Sequence, residues 1–346
     1  MKIKNLSAFL GLDIGSESIK AVYIQRSKDA YILSSYTISK HGLTDFSDPN
    51  LLGQAIKKTI SQLGKSSRPV FVTFSSKNQV LRYQPLKNIS EEDTRQNLKF
   101  NSSTLLNQDY SEYYLDCAKL PMAAPADPKA KIEQVKFLVA GAPKAEIDCL
   151  YQALSKIKLT PVMVQISGVS LLNSFEFSRI QDYQQSSSIL VDIGHNLSLI
   201  TIVNKGVPEL ARVLSFGGKN ITEEIAKDMG CDPFAAEQAK IRGDENALAS
   251  IENSLSQLIR EIQASMNYAE NSLSADIKRI HLSGGMARSS QIRDTIANAV
   301  GLPAEIWSPL DGLEVKLKSG PSETIQADFC ALPPAIGAAI EGLYNI

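Results

Sequence analysis

The sequence predicts an α/β protein of two lobes that begin alike, with a small insert in the first. Three observations carry this reading. The chain has 346 residues, beyond the roughly 250–300 at which a single hydrophobic core stops growing. Residues 10–24, LGLDIGSESIKAVYI, are echoed at 189–203, ILVDIGHNLSLITIV, each an apolar strand, Asp-x-Gly, a polar turn and a second apolar strand. Elsewhere strand patterns alternate with helical ones, the mark of α/β lobes.

Each copy continues through a turn, Ser27–Asp29 or Asn204–Gly206, into a third strand, Tyr31–Ile38 or Pro208–Phe216. Asp and Gly dominate tight turns for conformational reasons, so either copy alone is explained as a plain hairpin. Two copies opening two similar units are harder to assign to turn chemistry. After the first triplet come an amphipathic helix, Leu51–Leu63, and a strand, Pro69–Phe74. A strand-helix-strand-strand segment follows: Val80–Leu86, Ser90–Leu106, Glu112–Ala118 and Val135–Gly141. Ser90 is its expected N-cap, with Glu92 and Asp93 in the first turn. Leu120–Lys131, rich in Pro and Ala, reads as a hairpin loop too long for a tight turn. Helix Lys144–Lys156 and strand Pro161–Gln165 return to the first lobe.

Beyond the second triplet the spacing predicts helices over Ile221–Met229, Pro233–Ile241 and Ala247–Glu270. The last carries Leu248, Ile251, Leu255, Leu258, Ile259 and Ile262 at helical spacing, a stripe expected to bury against its own sheet. Strand Arg279–Ser283, the pair Gly284–Gly285, helix Ser290–Val300 and a final helix Pro334–Tyr344 complete the order.

Composition narrows the function. With 36 basic and 37 acidic side chains, the totals carry no electrostatic footprint for nucleic acid or an anionic membrane. Cys117, Cys149, Cys231 and Cys330 form no Cys-x-x-Cys pair, which argues against zinc and disulfides and fits reduced cytoplasm. The N-terminus is too polar for a signal peptide, and no run approaches the roughly 20 apolar residues that cross a bilayer. The expectation is a soluble cytoplasmic protein whose membrane role comes through a partner.

The hairpins suggest phosphate chemistry. Successive backbone N–H groups in a turn form an anion-binding concavity, here offered by Gly15, Ser16, Glu17 and Ser18, and again by Gly194, His195 and Asn196. Lys20 can set an ammonium against a β- or γ-phosphate. Asp13 and Asp192 repel phosphate but suit hydrated Mg²⁺, which takes one or two carboxylates. Bare backbone at Gly284 and Gly285, ahead of Met286, would let an adenosine lie close. Glu237 and Lys240, one helical turn apart, can reach its ribose or base, although an i,i+3 surface pair explains them equally well. No Gly-x-x-x-x-Gly-Lys-[Ser/Thr] or strand-borne Gly-x-Gly-x-x-Gly is present, so the P-loop and dinucleotide readings fail.

The set Asp13-x-Gly15-Ser16-x-x-x-Lys20, Asp192-x-Gly194 and Ser283-Gly284-Gly285 resembles the phosphate-1, phosphate-2 and adenosine motifs of the actin/Hsp70/sugar-kinase superfamily. Gly168–Phe175 and Leu332–Gly342 look like its two connecting helices. Over nearly the whole chain the likeness is greatest to the PilM family of type IV pilus assembly, and next to the cell-division family FtsA. The resemblance implies a two-lobed actin-like ATPase fold, made of duplicated ribonuclease-H-like lobes, with a 1C-type insert in place of actin's subdomain 1B. It divides the chain into a first lobe (1–79 and 144–187), the insert (80–143), a second lobe (188–216 and 271–346) and a subdomain 2B (217–270). It implies ATP with Mg²⁺ in the cleft: Asp13 and Asp192 at the metal, Gly15, Ser16, Glu17, Ser18, Lys20, Gly194, His195 and Asn196 at the phosphates, and Gly284, Gly285, Met286, Glu237 and Lys240 at adenosine.

For partners, the resemblance implies the cytoplasmic N-terminal peptide of a PilN-like inner-membrane protein. Its groove would lie between the first lobe and the insert, around Val80–Leu86 and Ser90–Leu106. Other pilus components or self-association are further possibilities, and the protein would sit peripherally at the inner membrane. The chain stops at Tyr344-Asn345-Ile346, without the membrane-targeting tail of FtsA-like chains, so no direct membrane insertion is expected. One departure bears on turnover. Relatives that hydrolyse ATP well carry Glu before the first connecting helix, whereas this chain reads Gln165-Ile166-Ser167-Gly168. Neither Gln165 nor Ser167 is a general base near neutral pH, though Gln can position a water, so hydrolysis is expected to be slow or absent. An FtsA-like filament protein is the alternative. A small-molecule kinase is a weaker one, because Gln165–Ser170 holds no acidic residue.

Overall fold

The computed structural model describes residues 7–28, 30–43, 45–64, 69–121, 132–317 and 322–344. The chain opens with strands β1 (Ala8–Ile14), β2 (Ser18–Ser27) and β3 (Ala30–Lys40), then helix α1 (Pro49–Gln62) and β4 (Val70–Phe74). The insert is β5 (Val80–Lys87), α2 (Glu91–Leu106), β6 (Tyr113–Lys119) and β7 (Gln134–Pro143). Next come α3 (Lys144–Lys156), β8 (Pro161–Ile166), α4 (Ser167–Ser178) and α5 (Ile180–Gln185), leading to the second triplet β9 (Ser187–Ile193), β10 (Ser198–Asn204) and β11 (Val207–Leu214). The rest is α6 (Gly218–Met229), α7 (Pro233–Arg242), α8 (Leu248–Leu273), β12 (Ile277–Ser283), α9 (Ser290–Val300), β13 (Ala304–Ile306), β14 (Leu313–Val315), α10 (Ser322–Asp328) and α11 (Pro333–Tyr344).

The echo in the sequence is a duplication in space. The first sheet runs β3-β2-β1-β4-β8 and the second β11-β10-β9-β12-β13. In both, the triplet is antiparallel and the two later strands are parallel to the first. The first sheet gains one edge strand, β14, paired in parallel with β3. Sequence reasoning assigns 271–346 to the second lobe, yet β14 and α11 from that span lie on the first sheet.

β1 is buried along its whole length because helices cover both faces of the sheet. Leu10, Leu12 and Ile14 join Leu52 and Ile56 of α1 and Leu150 and Leu154 of α3. Phe9 joins Ala335, Ile336 and Ala339 of α11 on the other face. α11 reaches the first sheet by crossing α4 with almost no side chain between them: a Cβ on Gly337 would stand 1.7 Å from the Ser170 carbonyl oxygen. α4 in turn packs Leu171 and Phe175 with Leu190, Leu199 and Trp307 of the second lobe. The two crossing helices therefore join the lobes, at the places expected for connecting helices. On the second sheet Ile251, Leu255, Leu258 and Ile262 of α8 bury against Ile189, Val191, Ile200 and Ile202, as the stripe predicts.

The insert forms its own three-stranded sheet, β5-β7-β6, with a core of Val80, Leu98, Leu106, Val135 and Phe137. Ser90 caps α2, its hydroxyl accepting from the Asp93 N–H. The insert touches both lobes: Leu81 fills the space beside Gly168 at the start of α4, and Lys136 on β7 pairs with Glu209 on β11. The loop expected over Leu120–Lys131 falls largely on 122–131, outside the described residues. α5, β13, β14 and α10 had no counterpart in the sequence reading. All four cysteines are free, and among the described residues no helix is long and apolar enough to cross a membrane.

Candidate functional site

Both hairpins make the same turn. Gly15 N–H donates to the Ser18 carbonyl at 3.2 Å, and Gly194 N–H to the Leu197 carbonyl at 2.9 Å. Between them the backbone N–H groups of Ser16, Glu17, His195 and Asn196 have no acceptor among the described residues. Two matched turns with free donors are the geometry of an anion concavity. They also meet: Glu17 Oε2 of the first hairpin lies 3.6 Å from His195 Nε2 of the second. Burial pushes the His195 imidazole below its ordinary value, against the pull of Glu17.

The two aspartates have different partners. Asp13 is 2% exposed; its Oδ2 accepts from Lys20 Nζ at 2.8 Å, and its Oδ1 is buried with no partner. Lys20, expected at a phosphate, is thus held by Asp13, though an ammonium has three donors and can still serve an anion. Asp192 Oδ1 accepts from the Ser283 hydroxyl at 2.7 Å. Burial pushes the Asp192 carboxyl up to about 6, helped by the Asp13 charge and opposed by Ser283 and Lys20. The contact of Glu17 with His195 puts the two strand ends across one gap. A bare buried carboxylate oxygen beside a second carboxylate fits a hydrated divalent cation, whose charge would satisfy the one and ionise the other.

The third glycine element divides in two. Gly284 has φ +90° and a Cβ there would stand 2.3 Å from the Ile193 carbonyl oxygen, so this glycine serves the fold by resting on the second hairpin. At Gly285 a Cβ would meet nothing within 4 Å, which leaves its backbone open to a ligand. Met286 packs on Gly218 at the start of α6. There Lys240 is buried, contrary to a surface pair: its Nζ donates to the Gly218 carbonyl at 2.9 Å and the Thr222 hydroxyl at 2.7 Å and pairs with Glu237 at 2.6 Å. Burial lowers the Lys240 ammonium while Glu237 opposes the shift. Burial raises Glu237, but hydrogen bonds from Lys240 and Thr222 outweigh it and hold the carboxyl low. With Lys240 committed, Glu237 is the member of the pair that can face a ribose.

Two residues were absent from the sequence reading. His41 braces the first hairpin: Leu43 N–H donates to its Nδ1 at 3.0 Å, so Nε2 carries the proton and donates to the Gly15 carbonyl at 3.0 Å. Thr73 stands in register with Asp13 and with Gln165. A lone hydroxyl inside the apolar strand VFVTF is the only sequence signal for it. Gln165 Oε1 accepts from the Ser170 hydroxyl at 2.9 Å. Among the described residues, one cluster of three metal-capable side chains lies elsewhere, Asp182, His281 and Glu305. The Arg179 guanidinium already spans its carboxylates, at 2.7 Å and 3.2 Å, so a cation is present there.

Lobes of one strand order, joined by crossing helices and facing each other through matched hairpins, define an actin-like fold. Its likeness to solved structures runs over the whole length. A structure of an ethanolamine utilization protein, EutJ from Carboxydothermus hydrogenoformans, matches with TM-score 0.55 and 11% identity, over 98% of this chain and 91% of that one. MreB 5 of Spiroplasma citri bound to AMPPNP matches with TM-score 0.53 and 11% identity, over 97% and 96%. A PilM–PilN type IV pilus biogenesis complex matches with TM-score 0.84 and 24% identity, over 96% and 98%. The family model for the type IV pilus assembly protein PilM matches residues 11–343, and the chain belongs to that family.

Proposed function

We infer that the protein is an ATP-binding scaffold of type IV pilus, or related secretion, assembly. In this reading the cleft holds ATP with Mg²⁺, and the insert holds the N-terminal peptide of a PilN-like inner-membrane protein. The observation that carries it is the meeting of the two hairpins, Glu17 against His195, with free backbone donors on both sides. Asp13 and Asp192 would hold the hydrated cation, which when bound supplies charge neutralisation at the phosphates. Lys20 and the turn N–H groups would hold the phosphates, and Gly285, Met286 and Glu237 the adenosine. A relative of this fold carries AMPPNP, and the PilM–PilN complex supports the choice of partner.

The insert reports on the cleft because it bears on both lobes, through Leu81 at Gly168 and Lys136 at Glu209. A change in lobe angle therefore changes its footing. A ligand shifts such an equilibrium only by its differential affinity for the two states, so ATP must favour the closed one. Turnover is slow in this reading, since Gln165 is tied to Ser170 and is no base. The partner holds the protein peripherally at the inner membrane. The test is binding of an N-terminal peptide from a candidate partner with and without Mg²⁺·ATP, in wild type and Asp13→Ala. Binding strengthened by nucleotide in wild type alone is expected; binding that ignores both nucleotide and substitution would break the coupling.

A further inference from the structure

The duplication supplies an internal control for the metal end of the cleft. In the second lobe Asp192 on β9 stands in register with Ser283 on β12, and the serine hydroxyl donates to Asp192 Oδ1 at 2.7 Å. The first lobe holds the equivalent pair, Asp13 on β1 in register with Thr73 on β4. There the bond is not made. Asp13 Oδ1 and Thr73 Oγ1 are both sealed from solvent, and neither has a partner; Thr73 is fully buried.

Residues in register on adjacent strands project from one face of a sheet. Both bare atoms therefore lie on the face that carries Lys20, which holds the other Asp13 oxygen, and Gln165, next in register after Thr73. Native interiors seldom leave one such atom unpaired, and two side by side ask for a third group between them. In the second lobe no such group is needed, because the Ser283 proton is committed to Asp192.

We propose that Thr73 is a ligand-positioning residue of the cleft: its hydroxyl, beside the unpartnered oxygen of Asp13, holds a water of the hydrated divalent cation that accompanies the nucleotide. The proposal rests on the nucleotide reading above. It makes the lobes chemically unequal, one aspartate with an oxygen left unpartnered for the hydrated ion and the other capped by its own strand neighbour. It also explains a hydroxyl where the strand's packing asks only for an apolar β-branched side chain.

The test is calorimetric titration of ATP into wild type, Thr73→Val and Thr73→Ser, each with Mg²⁺ and again with EDTA. Losing one water-mediated contact is expected to weaken Mg²⁺·ATP binding to Thr73→Val roughly three- to tenfold, with no change in EDTA, and Thr73→Ser is expected to match wild type. Equal affinity of Thr73→Val and wild type for Mg²⁺·ATP would overturn the proposal, and so would an equal loss in both buffers, which marks a structural effect. Thr73→Ala gives the same comparison without filling the space, should valine disturb folding. Wild-type protein that melts normally but binds ATP in neither buffer would overturn the nucleotide reading, and this inference with it.

Discussion

Asp192→Asn is expected to stabilise the ligand-free protein at neutral pH. Burial pushes the Asp192 carboxyl from 3.8 up to about 6, so the native state keeps its proton where the unfolded chain has lost it. Stability follows the difference in bound protons. Below about pH 4 both states are protonated and the residue is neutral in its effect. Between about 4 and 6 the native state binds more protons, so stability falls as pH rises, and above about 6 the full ionisation cost is present. The gap of about two units corresponds to up to about 3 kcal/mol. Asparagine cannot ionise, yet its side-chain oxygen can still accept from Ser283. Urea unfolding of both proteins in EDTA, at several pH values from 4 to 8, reads the difference directly, because titrating groups distant from Asp192 cancel. The advantage of Asp192→Asn should be near zero at pH 4, grow through pH 5 to 6, and then level off. A difference that is flat with pH, or a variant less stable than wild type at pH 8, would refute the account of a strained carboxylate kept for a cation.

Two further outcomes follow from the packing. Gly337→Val would drive a side chain into the Ser170 backbone, 1.7 Å from the new Cβ; a clash with backbone cannot relax by a rotamer change, so a loss of more than about 3 kcal/mol is expected, and wild-type melting of this variant would contradict the crossing geometry. Reversing Lys136 and Glu209 one at a time, Lys136→Glu or Glu209→Lys, should weaken the response of peptide binding to nucleotide, and the double reversal should restore it; a double variant no better than the singles would remove this ion pair from the route between insert and second lobe.

Much of the fold was legible because its signals are local. The Asp-x-Gly hairpins recur with apolar strands on either side, so the duplication is visible in one dimension. α2 starts after Ser90 and α3 spans Lys144–Lys156 as read, since capping and helical periodicity act over a few residues. The missed strands β13 and β14 have three residues each, too few to show an alternation. β14 is a strand only because β3, far back in the chain, offers an open edge. The candidate site divides the same way. Its hairpin residues announce themselves by type and spacing, whereas Thr73 and His41 act through neighbours supplied by other segments. Lys240 looks like a surface lysine until α6 is laid over it.

From its order of residues alone this chain declares two like units, a strand-rich insert, and a pair of aspartates poised beside glycine turns, because hydrophobic period, caps and turn chemistry are properties of short stretches. Only the folded chain decided that the turns meet through Glu17 and His195, that one aspartate is capped by a serine while its counterpart, paired with Lys20, keeps one oxygen bare, and that the last helix crosses to the first sheet. Those facts depend on strand register and on which surfaces are brought together, and no short stretch of sequence carries that information.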